Sequence, residues 1–400
     1  MQYVLWICLA LIWSFNAQAH GVNLAPQDTE YAIWSSASFT WNSNGAVGNN
    51  EYWRIPGLMM GGDATPAKEG LNLDDALLGG HYAFNDKAKV TAKLGVHSDD
   101  GDHHAAVNLE NLFVSYQMVQ SFGVSLGQME ANFSPTASYH ASLQPMAEAP
   151  LVADAFWGRS FHDVGVNAVW KPVPQLTIGL EAWDGQSFPA TPGDQGGAQD
   201  IYLQWLQHWQ GWHLQAGIWG MRAQAYQRGD DRYTAGHSHS SDFETLPTDV
   251  RFTGDTTLTG LWLQVMTPTW QAWQFQLLAE LVHSESDGDI LDATRQADYT
   301  NDNYGYYVMP TLVWGNHQFS YRYEMLYLKN DVTGAAAGIL AKEANLINDK
   351  DPSRQTVQWR WQMSRNFAWR LAYVYDDTLP ESTERYSLGV VWQSLLFSSL

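Results

Sequence analysis

"TVQWRWQMS", residues 356–364, alternates strictly: Val357, Trp359, Trp361 and Met363 fall on one face, and Gln358, Arg360, Gln362 and Ser364 on the other. Period two is the side-chain repeat of a β-strand. A face of tryptophan and methionine opposite one bearing arginine is unusual in a water-soluble sandwich. It suits a strand with lipid on one side and a polar interior on the other. "FSYRYEMLY" repeats the pattern, setting Phe319, Tyr321, Tyr323, Met325 and Tyr327 against Arg322 and Glu324. "FAWRLAYVY" sets Phe367, Trp369, Leu371, Tyr373 and Tyr375 against Arg370.

Extended along the chain, the pattern gives about sixteen segments, the first at 31–42 and the last at 383–395, with 75–85, 271–283 and 303–314 among them. Counts of 14 to 18 fit the same signal, and an even number suits a closed barrel. Connections after even-numbered segments are short: "KPVP", "HWQGW", "WGNH" and "MSRNF" are turns built on Pro, Gly and Asn. Most of those after odd-numbered segments are long. This parity puts both termini and all tight turns at the periplasmic rim and the long loops outside. In lipid every backbone N–H and C=O must pair internally, so the strands must close into a ring. The expected fold is an all-β transmembrane antiparallel barrel, wide enough for an aqueous channel.

Composition agrees. Aromatic residues make up 14% of the chain, with 20 tryptophans, while only 16% is charged, more lipid-facing surface than a soluble fold needs. Residues 1–19 form an apolar run ending Ala17-Gln18-Ala19, read as a signal peptide cleaved after Ala19. Residues 20–400 are then one barrel domain. Cys8 lies in that leader, so metal ligands in the mature chain must be imidazole or carboxylate. A net charge of −21 speaks against nucleic acid as partner and for cations. G-x-S-x-G, H-E-x-x-H and phosphate-loop signatures do not occur, so the chain is expected not to be an enzyme.

The candidate chemistry lies in the long loops. The second, 98–104, follows His97 and carries Asp99, Asp100, Asp102, His103 and His104, a ligand set that Zn, Cu or Ni accept. A solvated turn with incidental histidines is the competing reading. The fifth, 227–254, offers His237 and His239 two apart, then Asp242 and Glu244. "HSESDGD", with His283, Glu285, Asp287 and Asp289, is expected to open the sixth loop. The third, 131–160, is long and apolar and is expected to fold inward and narrow the pore, the competing reading being a lid packed on the barrel wall without selectivity. His140 is a metal candidate there, and Glu148, Asp154, Arg159 and His162 are expected to face the pore. Arg322, Glu324, Arg360 and Arg370 are expected to line the wall.

"IPGLMMGGDATPAKEGLNLDDALLGG" (55–80), "GVHSDDGDHHAAVNLENLFVSY" (95–116) and "ASYHASLQPMAEAPLVADAFWGRSFHDVGVNAVWKPVP" (137–174) resemble a zinc-regulated family of porin-like outer-membrane proteins of Gram-negative bacteria. The family is sometimes labelled TonB-dependent receptors. The resemblance implies zinc passage across the outer membrane, with zinc as transported or loop-bound ion and no cofactor required. It places the family's His/Asp-rich hairpin on His97 to His104 and its loop histidine on His140. Where the family carries a Glu-Glu pair this chain has Glu110 and Asn111, and Gly127-Gln128 replaces a Gly-Arg. A plugged 22-stranded receptor would not fit the 381 residues left after removing 19 from 400, so passage without direct energy coupling is expected. Expected partners are outer-membrane lipid, divalent metal ions, the barrel assembly machinery and, as a homotrimer, further copies of the chain. The alternatives are a general or anion (phosphate-type) porin, with Arg322, Arg360 and Arg370 as an inner ladder, and a non-conducting metal-binding surface barrel.

Overall fold

The computed structural model describes residues 24, 29–48, 52–97, 106–230, 232 and 249–399. The strands are β1 (Tyr31–Asn42), β2 (Gly70–Ala83), β3 (Ala88–His97), β4 (Ala106–Val119), β5 (Phe122–Glu130), β6 (His162–Val173), β7 (Leu176–Trp183), β8 (Gly197–Trp209), β9 (Trp212–Arg228), β10 (Arg251–Met266), β11 (Trp273–Leu291), β12 (Gln296–Trp314), β13 (His317–Tyr327), β14 (Asn330–Thr333), β15 (Ser353–Gln362), β16 (Phe367–Asp377) and β17 (Thr383–Ser398). Helices α1 (Leu151–Phe156) and α2 (Ala337–Glu343) lie between β5 and β6 and between β14 and β15.

Apart from β13 and β14, each strand pairs antiparallel with its neighbours in sequence, β13 pairs with β15, and β1 pairs with both β2 and β17, so the sheet closes. β13 and β14 are two pieces of one stave. Both pair with β12, at Tyr304↔Tyr327 and then Asn301↔Asn330. Between them the Lys329 N–H donates to the Asn303 side chain at 2.8 Å instead of to a strand carbonyl. The barrel therefore has sixteen staves. The turns at 84–87, 120–121, 174–175, 210–211, 315–316 and 363–366 gather at one rim, where the Ser399 N–H also reaches the Tyr31 carbonyl at 3.0 Å.

The outer wall is apolar. Leu112, Val114, Leu180, Ile201, Ile218, Leu261, Leu312, Val357, Leu371 and Leu388 all face outward and are exposed. Aromatic girdles flank this band. Near the tight turns, Trp273 stacks on Trp314 at 5.3 Å and Trp359 lies parallel to Trp361. Near the long loops, Tyr306 meets Tyr323 and Tyr327, and Tyr373 meets Tyr386. Charges occupy the inside: Glu181, Glu280, Arg322, Glu324 and Arg385 are each no more than 2% exposed.

Two expectations change. The stretch from His283 to Asp289 does not open a loop; it is the outer end of β11, paired in unbroken register with β12 as far as Leu291↔Gln296. Outward alternation of apolar residues stops at the membrane edge, but the hydrogen-bonded ladder does not. The fifth loop is correspondingly shorter, since β9 runs to Arg228 and β10 starts at Arg251.

The inward face is also less uniformly polar than alternation implied. A hydrophobic core fills part of the barrel, with Trp53, Ile55, Leu58 and Met60 of the first long loop and Phe133, Met146, Leu151, Val152, Phe156, Trp157 and Phe161 of the third. They pack on wall residues Trp183, Tyr202, Trp219, Trp262, Tyr307 and Leu326. Trp219 and Trp262 lie flat because the residues opposite them in register are Gly260 and Gly217, where a Cβ would collide with the indole rings.

Candidate functional site

Residues 131–161 fold into the barrel for the reason their composition suggests: Leu151, Val152, Trp157 and Phe161 would otherwise face water, and here each is fully buried. Trp157 meets Phe133 edge-on at 5.7 Å and Trp219 at 6.0 Å. Its indole N–H donates to the Thr136 carbonyl at 3.1 Å.

A buried loop must satisfy its backbone, and the wall supplies partners along the loop's length. At its start, Asn132 donates through its backbone and side chain to Glu181 at 3.1 and 2.8 Å. Ser134 and Thr136 donate to Glu280, and Trp262 donates to the Phe133 carbonyl. In the middle, Arg370 donates to the carbonyls of Ala141 and Gln144, Gln358 to that of Pro145, and the Ser142 N–H to Asp75. Further along, Arg322 holds the carbonyls of Glu148 and Ala149 at 2.9 and 3.3 Å, Arg354 also holds that of Ala149, and Glu324 accepts the Leu151 N–H at 2.7 Å.

Side-chain charge is closed into one network. Glu324 binds Arg322 and Arg354, each at 2.9 Å. Glu148 binds Arg354 at 3.0 Å and also Arg385, which in turn binds Asp376 at 3.1 Å. Burial alone would raise the Glu148 carboxyl; Arg385 and then Arg354 overcome it and hold the group at about 2. At the loop's exit Arg159, with φ of 76°, donates to Asp154 at 2.8 Å and to Thr65 of the first loop. There the two loop backbones touch: a Cβ on Gly158, at φ of 67°, would sit 2.6 Å from the Gly61 carbonyl oxygen.

What stays open beside this loop is a cavity of about 210 Å³, bounded by the inner faces of β1, β2 and β15–β17 and by residues 62–68. Asp63, Asp74, Asp75, Glu110 and Glu148 line it, as do Lys68, Arg159, Arg232, Arg322 and Arg370. Three of these guanidinium groups are already bound to carboxylates outside the lining: Arg159 to Asp154, Arg232 to Asp230 and Arg322 to Glu324. Asp74 accepts the hydroxyls of Ser38 and Thr40 at 2.6 and 2.7 Å.

The residues expected from sequence are distributed as follows. Glu148, Arg159, His162, Arg322 and Arg370 border the cavity. Asp154 does not face it, being fully buried against Arg159, and Glu324 is likewise withdrawn behind Arg322 and Arg354. Arg360 stands opposite Arg370 in the β15–β16 register and donates to Gln362. His140 is 3% exposed, and its Nε2 lies 2.8 Å from both Lys93 Nζ and Glu130 Oε1, so an ammonium occupies the direction a metal would need. Glu130 is steadied by Asn111, whose side-chain oxygen accepts its N–H at 3.1 Å. The side chain of His97 and residues Asp99, Asp100, Asp102, His103, His104, His237, His239, Asp242 and Glu244 lie outside the described residues. Arg354, Arg385, Asp75, Glu181 and Glu280 escaped sequence reading. Their one signal is a charged residue at inward parity on a barrel strand.

With this geometry in view, the chain can be set beside known proteins. It covers 95% of its length on 99% of the outer membrane channel DcaP of Acinetobacter baumannii, at 12% identity and a TM-score of 0.52. It covers 92% of its length on 94% of OprB of Pseudomonas putida, at 11% identity and 0.52. The shared property is the fold. No family model and no curated protein sequence matches the chain.

Proposed function

We propose that the protein is a porin-like channel of the outer membrane that passes small cations by diffusion, zinc being the ion the sequence resemblance assigns. The observation that carries this reading is the charge of the open cavity. Arg159, Arg232 and Arg322 are bound to carboxylates outside the lining and Glu148 to arginines outside it, which leaves Asp63, Asp74, Asp75 and Glu110 against Lys68 and Arg370. Inside a low-dielectric wall, such an acidic excess raises local cation concentration. The same arrangement weighs against an anion ladder, because Arg322 and Arg370 are engaged in holding carbonyls of the inward loop.

The cavity far exceeds the roughly 10–15 Å³ one water requires, so it can hold an ion with part of its hydration shell. No covalent step is involved. The apolar wall between two aromatic girdles fits an outer-membrane barrel.

Reversal potentials across a potassium chloride gradient test the cation reading, and an anion preference would overturn it. Zinc passage is tested separately, with a zinc-responsive dye inside vesicles carrying the protein. A cation-selective barrel that excludes zinc would keep the channel reading and remove the zinc assignment.

A further inference from the structure

Beyond the tyrosine girdle, β11 and β12 run on together with Glu285 directly opposite Asp302, Asp287 opposite Thr300 and Asp289 opposite Asp298. Parity places these side chains on the outside, since Ser284 and Ser286 between them are buried. Two pairs of like charges thus face each other across one strand pair, an arrangement that destabilises a sheet unless something offsets it. His283, next along the same face, stacks on Tyr304 at 4.2 Å with 14° between the rings. Stacking fixes the imidazole plane and turns Nε2 toward the carboxylates. Nε2 lies 2.9 Å from Asp302 Oδ1 and 3.8 Å from Glu285 Oε1, and one ligand atom from each residue falls within 4.8 Å of the others.

We propose that His283, Glu285 and Asp302 form a divalent transition-metal site on the outer wall of the barrel. In a tetrahedral zinc site with ligands at about 2.0–2.1 Å, neighbouring ligand atoms stand about 3.3 Å apart. The two separations from Nε2 bracket that value, so small side-chain rotations bring the three atoms onto one ion. The cation would remove the repulsion between Glu285 and Asp302. An imidazole with two carboxylates selects zinc, nickel or copper over magnesium or calcium, which favour oxygen ligands alone. Three protein ligands leave a fourth position for water. Both carboxylates are well exposed, at 62% and 48%, so the expected affinity is micromolar rather than that of a structural site. The site lies outside the lumen and does not rest on the transport reading.

The test uses the full chain refolded in detergent and reads His283 alone. Its modification by diethylpyrocarbonate is followed by mass spectrometry of the peptide that contains it, with and without zinc chloride. Saturating zinc should slow modification of His283 about 10-fold or more, following the bound fraction. The Glu285→Gln/Asp302→Asn variant, compared with its own zinc-free rate because Asp302 is hydrogen-bonded to Nε2, should show no slowing by zinc. Equal rates with and without zinc, or protection that persists in the variant, would overturn the proposal. In the wild-type chain, magnesium at the same concentration should give no protection; equal protection by magnesium would show charge screening rather than imidazole ligation, and would also overturn it. Because the readout is one residue, metal held by other histidines does not enter it.

Discussion

Replacing Glu148 with alanine isolates the charge network that holds the third loop in the barrel. Glu148 accepts hydrogen bonds from Arg354 and Arg385, both nearly inaccessible to water. Breaking a buried ion pair outright costs about 3–5 kcal/mol. Here each arginine keeps a second carboxylate, Arg354 with Glu324 at 2.9 Å and Arg385 with Asp376 at 3.1 Å, so neither charge is stranded. The expected loss is that of charged hydrogen bonds, about 1.5–3 kcal/mol. At 1.4 kcal/mol per factor of ten, the released state of the loop gains roughly 10- to 150-fold in population. The strand ladder contains no Glu148 contact, so the barrel itself should fold as before. Single-channel recording in a planar bilayer should show more frequent transitions to a higher conductance than the wild type shows. Glu148→Gln, which keeps an acceptor but not the charge, should fall between. A folded Glu148→Ala barrel with wild-type conductance and noise would refute the account of the loop's anchoring.

Because Arg385 and Arg354 hold the Glu148 carboxyl at about 2, below its ordinary value of 4.5, its contribution is complete above 4.5 and is lost as pH falls toward 2. An acid-induced rise in conductance below about pH 3 should therefore occur in the wild type and be missing from Glu148→Gln. Asp74→Asn with Asp75→Asn should move the reversal potential in a salt gradient toward that of an unselective pore. Trp157→Ala removes a fully buried indole and should loosen the loop by about 3–5 kcal/mol, seen as new protease cleavage within 131–160 while the barrel strands stay uncleaved. Ile218→Arg, at an outward position with 59% exposure, should cost about 2–4 kcal/mol in reversible folding into vesicles if it sits near mid-membrane.

The barrel was legible in the sequence because a lipid-facing strand writes its environment into every second residue. Val357, Trp359 and Trp361 point out whatever the neighbouring strands are, and the alternation of tight turns with long loops fixes up-and-down order. That signal fades where the environment changes. From His283 to Asp289 both faces are polar, so the pattern reads as loop although the backbone continues to pair with β12. For 131–160 the sequence showed only that its apolar residues needed cover; the choice between entering the barrel and lying as a lid on its wall was not legible.

Which residues provide that cover is a different kind of fact. Arg354 and Arg385, far from Glu148 in sequence, meet it because closing the ring brings the late strands against the loop that leaves β5. His140 is a ligand candidate on paper and a partner of Lys93 and Glu130 in space. Asp302 joins His283 and Glu285 only through the β11–β12 register. The sequence by itself determined the strands, their order and which face meets lipid, because those follow from local alternation and turn chemistry. The tertiary structure decided the charge partners, the shape of the open cavity and the grouping of ligands, because each depends on the distance between residues that only barrel closure and register bring together.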